Sequence, residues 1–265
     1  MVERQFNHEK LDVYQHSLEF VGWGHEMRKN INSRLAAVDH LDRASTSIPT
    51  NIVIGNSKES PRNRIRSFDD SYASMLECSA CLDVLCIHAS ITPDEVEYGK
   101  CMLAKLVSMI IGLRRVQATR VKEERPEYSV ESGDTNKFWF DHEQLDVFQL
   151  SLEFVRWFVD FSRSSDIPAR HFGDLDRSST GMPLNIAEGN GKFTIRNRCK
   201  FLGYAESHAL CCAKDLDLLV AIKVVQPKVI LSGKRMLHRI VSMDHGLKCS
   251  LRKRERDAQS LRPDQ

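Results

Sequence analysis

The stretch that decides the fold occurs twice, as NHEKLDVYQHSLEFVGW (Asn7–Trp23) and as DHEQLDVFQLSLEFVRW (Asp141–Trp157). Working outward, LDRASTSIPTNIVIGNSK (Leu41–Lys58) returns as LDRSSTGMPLNIAEGNGK (Leu175–Lys192). The triplet RNR at Arg62–Arg64 returns at Arg196–Arg198, and LVSM at Leu106–Met109 returns as IVSM at Ile240–Met243. Every pair lies about 134 residues apart without a gap, and about four in ten positions are identical over roughly 108. Convergent helical composition would not hold one register across four segments. The chain is therefore read as a tandem duplication, in which a position kept in both copies carries more weight than one seen once.

Each copy reads as four helices. Leu11, Tyr14, Leu18 and Val21 recur at three- and four-residue steps, and Leu145, Phe148, Leu152 and Val155 repeat that stripe. In the second segment Leu41, Ala44, Ile48 and Ile52 share a face, matched by Leu175, Ser178, Met182 and Ile186. The third runs from Arg62 to His88 and from Arg196 to Lys223, with Ile65, Phe68, Met75, Leu82 and Leu85 apolar. The fourth opens at Pro93 and Pro227, where proline suits a first helical turn. No run alternates with period two, so no sheet is expected. The predicted fold is all-α: two up-down-up-down four-helix bundles. The boundaries read as 1–122 for the first bundle, 123–139 for a polar linker, 140–256 for the second bundle and 257–265 for a polar tail. Pro49 and Pro183 fall inside the second helix of each copy, which predicts a kink or a broken turn there.

Composition narrows the function classes. The formal net charge is +2, so any attraction to nucleic acid must come from local clusters. No apolar run approaches the length of a membrane span, and the first residues lack the apolar core of a signal peptide. A cytoplasmic protein with eight free thiols is the expectation, with no membrane role.

The motifs LDVxQxSLEFV, LDRxSxxxPxNIAEGNGK, RNR and SMLECSACLDVL resemble the four helix bundle protein family. Its members are encoded in intervening sequences of bacterial 23S ribosomal RNA genes, and it includes the accessory variability determinant of diversity-generating retroelements. The resemblance implies a small helical bundle that self-associates, typically into five-fold rings. It implies no enzymatic activity and no cofactor. It also suggests a basic surface offered to RNA or to a reverse-transcriptase-type partner. A chain with two bundles cannot evenly fill a ring of odd number, so an internal pseudo-dimer or an even number of bundles is expected. The copies depart from the family pattern in complementary ways. The glutamate of the NIAEG motif is Glu188 in copy two but Ile54 in copy one, and the third-helix glutamate is Glu77 in copy one but Cys211 in copy two. Either the copies complete each other across an interface, or surface acids drifted after duplication.

The basic clusters are the best functional clue. Arg62, Arg64 and Arg66 open the third helix, and Arg196, Arg198 and Lys200 repeat them. Arg114, Arg115, Arg120 and Lys122 close copy one; Lys248, Arg252, Lys253, Arg254 and Arg256 close copy two, with Lys234, Arg235 and Arg239 upstream. Phosphate binding needs such clusters without strict spacing, though a solvated helical face has the same composition. Aromatic residues do not interleave with these arginines, which argues against a base-stacking platform. Other constellations are weaker. Cys78 and Cys81 form a CxxC on one helix, but Cys211 and Cys212 are adjacent, so core cysteines fit better than a zinc site. His8 and His142, each followed by glutamate, suit capping or surface roles. Asn51, Asn185, Asp42, Arg43, Asp176 and Arg177 are expected to form interhelical polar contacts, and Trp23 and Trp157 to pack. The glycines of GNGK (Gly189–Lys192) are expected to end a helix rather than cradle phosphate, because they do not follow a strand. No small-molecule substrate is implied. The leading reading is RNA or ribonucleoprotein binding through basic helix ends, and the alternative is a self-assembling scaffold without a nucleic-acid role.

Overall fold

The computed structural model describes residues 6–121 and 138–260. The expected linker therefore lies outside the described residues except for Phe138 and Trp139, as do Lys122 and the last five residues of the expected tail. The protein is all-α, with no strand among the described residues. The helices are α1 (Asp12–Arg28), α2 (Ala36–Ser57), α3 (Pro61–Ile87), α4 (Pro93–Val121), α5 (Asp146–Arg163), α6 (Ala169–Asn190), α7 (Ile195–Ala221) and α8 (Leu231–Ser260). Short 3-10 turns at Asn7–Lys10 and Asp141–Gln144 precede α1 and α5, and a third at Pro227–Ile230 precedes α8. The chain divides into two compact units, Met1–Glu143 and Gln144–Gln265. In the first, α1 meets α2, α2 meets α3, α3 meets α4, and α1 meets α4; the second repeats this pattern with α5 to α8. No described helix is long and apolar enough to cross a membrane.

Local chemistry sets the helix starts. Pro61 stands in the first turn of α3, where its missing N–H is not needed. Before α4, Thr92 and Glu95 cap each other. The Thr92 N–H donates to Glu95 Oε2 at 2.7 Å, and the Glu95 N–H donates to Thr92 Oγ1 at 3.2 Å. Thr194 does half of this for α7, accepting from the Asn197 N–H at 3.2 Å.

The second-helix stripe is the core face, as its spacing predicts. Leu41, Ala44, Ile48 and Ile52 are buried, and so are Leu175, Ser178, Met182 and Ile186. The buried face of α1 is not the expected stripe of Leu11, Tyr14, Leu18 and Val21. The buried residues of α1 are Val13, Ser17, Phe20 and Gly24, while Leu18 is 42% exposed. The core face of α1 thus contains a serine and a glycine, which an apolar count passes over. In α5 the counterparts Val147, Ser151, Phe154 and Phe158 are buried, and Phe148, Leu152 and Val155 are buried as well.

The proline-bearing helices are not broken. α2 runs through Pro49 and α6 through Pro183 without interruption. Proline deprives the preceding turn of one donor, and in α2 side chains supply donors around that point. Thr50 Oγ1 donates to the Thr46 carbonyl at 2.8 Å, Asn51 Nδ2 to the Ser47 carbonyl at 3.0 Å, and Ser71 Oγ of α3 to the Ile48 carbonyl at 3.2 Å. Asn185 Nδ2 likewise donates to the Gly181 carbonyl at 2.7 Å. Asn51 and Asn185 therefore bond back within their own helices rather than between helices. Asp42 does join two helices, through an ion pair with Arg28 of α1.

Candidate nucleic-acid interface

The order of helices brings the basic clusters of the second unit together. α7 and α8 lie side by side, and Cys199 Sγ lies 3.9 Å from the Lys248 carbonyl. Each residue advances about 1.5 Å along a helix. Arg196, three residues before Cys199, and Arg252, four residues after Lys248, therefore lie at the same end of the antiparallel pair. Arg196 and Lys200 of α7 and Arg252, Lys253 and Arg254 of α8 are all exposed there. In the first unit the Arg114–Asp69 ion pair, 2.8 Å, sets the last turns of α4 beside the first turns of α3. Exposed Arg62 and Arg66 thereby share an end with exposed Arg115 and Arg120. The helix dipoles of α3 and α7 also place partial positive charge at these starts, which adds to the attraction for anions.

Not every cation in these clusters faces solvent. Arg64 Nε donates to the Lys58 carbonyl at 2.5 Å, and Arg198 Nη2 donates to Asn190 Oδ1 at 2.7 Å. The second arginine of each RNR therefore ties its helix to the end of the preceding one. Arg114 is buried against Asp69, and Lys248 pairs with Glu206. These two occupy equivalent positions, but their acids lie one turn apart on α3 and α7.

Aromatic rings do accompany the basic end of the second unit. Lys192 Nζ lies 5.0 Å from the centre of the Phe201 ring and Lys200 Nζ 5.6 Å from that of Tyr204. The two rings meet edge to face at 5.7 Å, and Tyr204 is 44% exposed. The aromatic residues do not interleave with the arginines along the chain; the helical i, i+4 spacing of Lys200 and Tyr204 is the signal in the sequence that sets ring beside cation.

The remaining candidates have structural settings. Cys78 and Cys81 are buried, and burial, with Glu77 nearby, pushes both thiols well above their ordinary range. Among the described residues no group of three or more His, Cys, Asp or Glu is placed to hold a metal ion. Glu77 pairs with His40 at 3.1 Å and Glu188 with Lys192 at 3.2 Å, each inside its own unit. Glu9 Oε2 caps its 3-10 turn by accepting from the Phe6 N–H at 2.7 Å. Gly191 follows the last residue of α6, so the GNGK stretch does end a helix. Gly189 lies inside that helix, where an added Cβ would come 2.9 Å from Phe201 Cβ.

A buried ion cluster was not foreseen. Lys100 of α4 pairs with Asp83 of α3 at 2.7 Å and with Glu143 at 2.9 Å. Burial pulls the Lys100 ammonium down, but the two carboxylates together lift it above its ordinary value. His142, fully buried beside this lysine, is pushed down to about 3, first by desolvation and then by the Lys100 charge. It is therefore neutral at physiological pH.

Residues 9–112 match the 23S rRNA-intervening sequence protein family. The matched range covers most of the first copy, and this is the family that the sequence motifs resemble. The 23S rRNA-intervening sequence protein family is helical and is not a known enzyme family. The second copy lies outside the matched range and is linked to it by the internal repeat. No curated protein and no solved structure matches the chain.

Proposed function

We propose that this protein is a non-enzymatic helical module that binds RNA, or RNA within a ribonucleoprotein, through the basic ends of its two units. The observation that carries this reading is the convergence of the start of α7 and the end of α8. It gathers Arg196, Lys200, Arg252, Lys253 and Arg254 at one end of one unit, and Arg62 and Arg66 open the counterpart helix. Such a cluster attracts phosphates by charge without fixing a sequence. The exposed Tyr204 ring beside Lys200 offers one base a stacking surface. The test is RNA binding measured across a salt series on the whole chain and on an Arg196→Ala, Lys200→Ala, Arg252→Ala, Arg254→Ala variant. The variant should bind weakly, with a shallower salt dependence by roughly one unit of slope for each lost phosphate contact. Equal binding by both chains, or no RNA binding at low salt, would overturn the reading.

A second reading, self-assembly without nucleic acid, is favoured by the apolar residues exposed on the second unit. Leu210 and Leu218 of α7 and Leu231 of α8 are 56%, 39% and 55% exposed.

A further inference from the structure

The two copies diverge in kind where α3 and α7 begin. Phe193, Phe201 and Tyr204 stand in the second copy where the first has Glu59, Ser67 and Asp70. The cations around them are kept: Lys192 matches Lys58, Arg196 matches Arg62, and Lys200 matches Arg66. Two acids and a serine in the first copy thus face three rings in the second, inside the same basic frame.

The rings of α7 are held in place. Gly189 of α6 has no side chain, which lets Phe201 sit against that helix; an added Cβ would come 2.9 Å from Phe201 Cβ. Lys192 Nζ lies 5.0 Å from the Phe201 ring centre, and Phe201 meets Tyr204 edge to face at 5.7 Å. Phe201 is half-buried and braces a neighbour that is not, since Tyr204 is 44% exposed. Arg196, Lys200 and Tyr204 follow one another at four-residue steps along one ridge of α7, about 12 Å from end to end, and all three are exposed. In the first unit the same ridge reads Arg62, Arg66 and Asp70, so it ends in an exposed carboxylate that repels a phosphate strand.

We infer that the Arg196–Lys200–Tyr204 ridge takes unpaired nucleotides of an RNA strand, with a base stacked on the Tyr204 ring and the adjoining phosphates on Lys200 and Arg196. This rests on the RNA reading above and deepens it, by naming the state of the strand and assigning it to the second unit. In a duplex each base is covered by its neighbours, so an aromatic side chain reaches a base face only in a loop, a bulge or an end. Lys200 Nζ lies 5.6 Å from the Tyr204 ring centre. Its charge sits on a flexible stem and moves to the phosphate as the base arrives. The first unit, with Asp70 in place of the ring, meets phosphates alone. A surface that responds to charge alone favours the duplex, whose two strands carry the denser charge.

The test is fluorescence anisotropy of a labelled single-stranded RNA, of the same RNA annealed to its complement, and of the matching single-stranded DNA. Each is titrated across a salt series with the full chain and with Tyr204→Ala, Tyr204→Phe and Arg196→Ala variants. Tyr204 and Arg196 are exposed, and helical content confirms that each variant is folded. The parent should bind the single-stranded RNA more tightly than the duplex. Tyr204→Ala should weaken single-strand binding about tenfold with the salt slope kept, because it removes no phosphate contact. Tyr204→Phe keeps the ring and should recover most of that loss. Arg196→Ala should weaken single strand and duplex alike and lower the slope by about one. No binding of any of the three at low salt overturns both this inference and the RNA reading. Tighter binding of the DNA strand than of the RNA strand overturns RNA as the ligand. A duplex bound as tightly as the single strand overturns the inference alone, as does a Tyr204→Ala chain that binds the single strand like the parent.

Discussion

The ring of Trp23 occupies the space where a side chain on Gly99 would begin. A Cβ built there would come 2.5 Å from Trp23 Cη2 and 2.7 Å from Leu82 Cδ1. The second copy repeats the arrangement with Trp157 and Gly233. The first helix of each unit thus locks against the fourth through a tryptophan and a glycine. Alanine is a better helix former than glycine by about 1 kcal/mol, but overpacking costs about 1–3 kcal/mol. Gly99→Ala should therefore lower stability in chemical denaturation. Gly112→Ala, in the same helix with nothing within 4 Å of the added Cβ, should raise it. Equal effects of the two substitutions would refute the lock.

Lys100 and Lys234 test the cost of burial at equivalent positions. Lys100→Met leaves Asp83 and Glu143 in a buried site without their cation, and should cost about 3–5 kcal/mol. Lys234→Met breaks the exposed counterpart pair and should change the stability of the dilute chain by less than about 1 kcal/mol. Comparable losses would show that the second pair is buried in solution.

Two buried groups give opposite pH dependences. His142 is pushed from 6.5 down to about 3, so it is neutral in the folded state while the unfolded chain takes up a proton. Its contribution is present above pH 6.5 and is lost as pH falls towards 3, amounting to about 5 kcal/mol. His142→Gln should flatten that acid limb in denaturation measured from pH 7 to 4.

Asp244 is fully buried, and neither carboxylate oxygen has a hydrogen-bond partner. Desolvation raises it from 3.8 to about 7, with Lys248 opposing the rise and Glu206 adding to it. A raised acid stabilises the fold below pH 4, and that contribution is lost as pH rises through 7. The first copy has Ile110 at this position. Asp244→Ile should therefore be more stable than the parent at pH 8, and its advantage should shrink by about 4 kcal/mol on going to pH 4. An advantage independent of pH would contradict the shift.

The two arginines of each RNR should separate in experiment. Arg196→Ala should weaken RNA binding with little loss of stability, because the side chain is exposed. Arg198→Ala removes the bond to Asn190 and should cost about 1–2 kcal/mol in thermal unfolding. If Arg198→Ala left stability unchanged, the side chain would not be tying α7 to α6.

Much of the helical fold was legible without coordinates. The second-helix stripe survived because its apolar residues are large and their spacing fits one face. The α1 stripe did not, because Ser17 and Gly24 form part of the buried face while Leu18 faces out. The candidate interface was legible as a list of cations, but their states were not. Arg64 and Arg198 are engaged by neighbouring helix ends, and Arg114 by Asp69. A charge in a sequence does not show which acid, 45 residues away along the chain for Arg114 and Asp69, will face it.

The duplication, the all-α class and the positions of the helices were set by the sequence itself, because period and repeat are properties of the chain. Only the tertiary structure decided which copy's equivalent residues are buried. Asp83 and Lys100 enclose Glu143, while Asp217 and Lys234 lie open. Identical residues acquire different states because burial and pairing depend on what the folded chain places beside them. Local spacing carries no record of that.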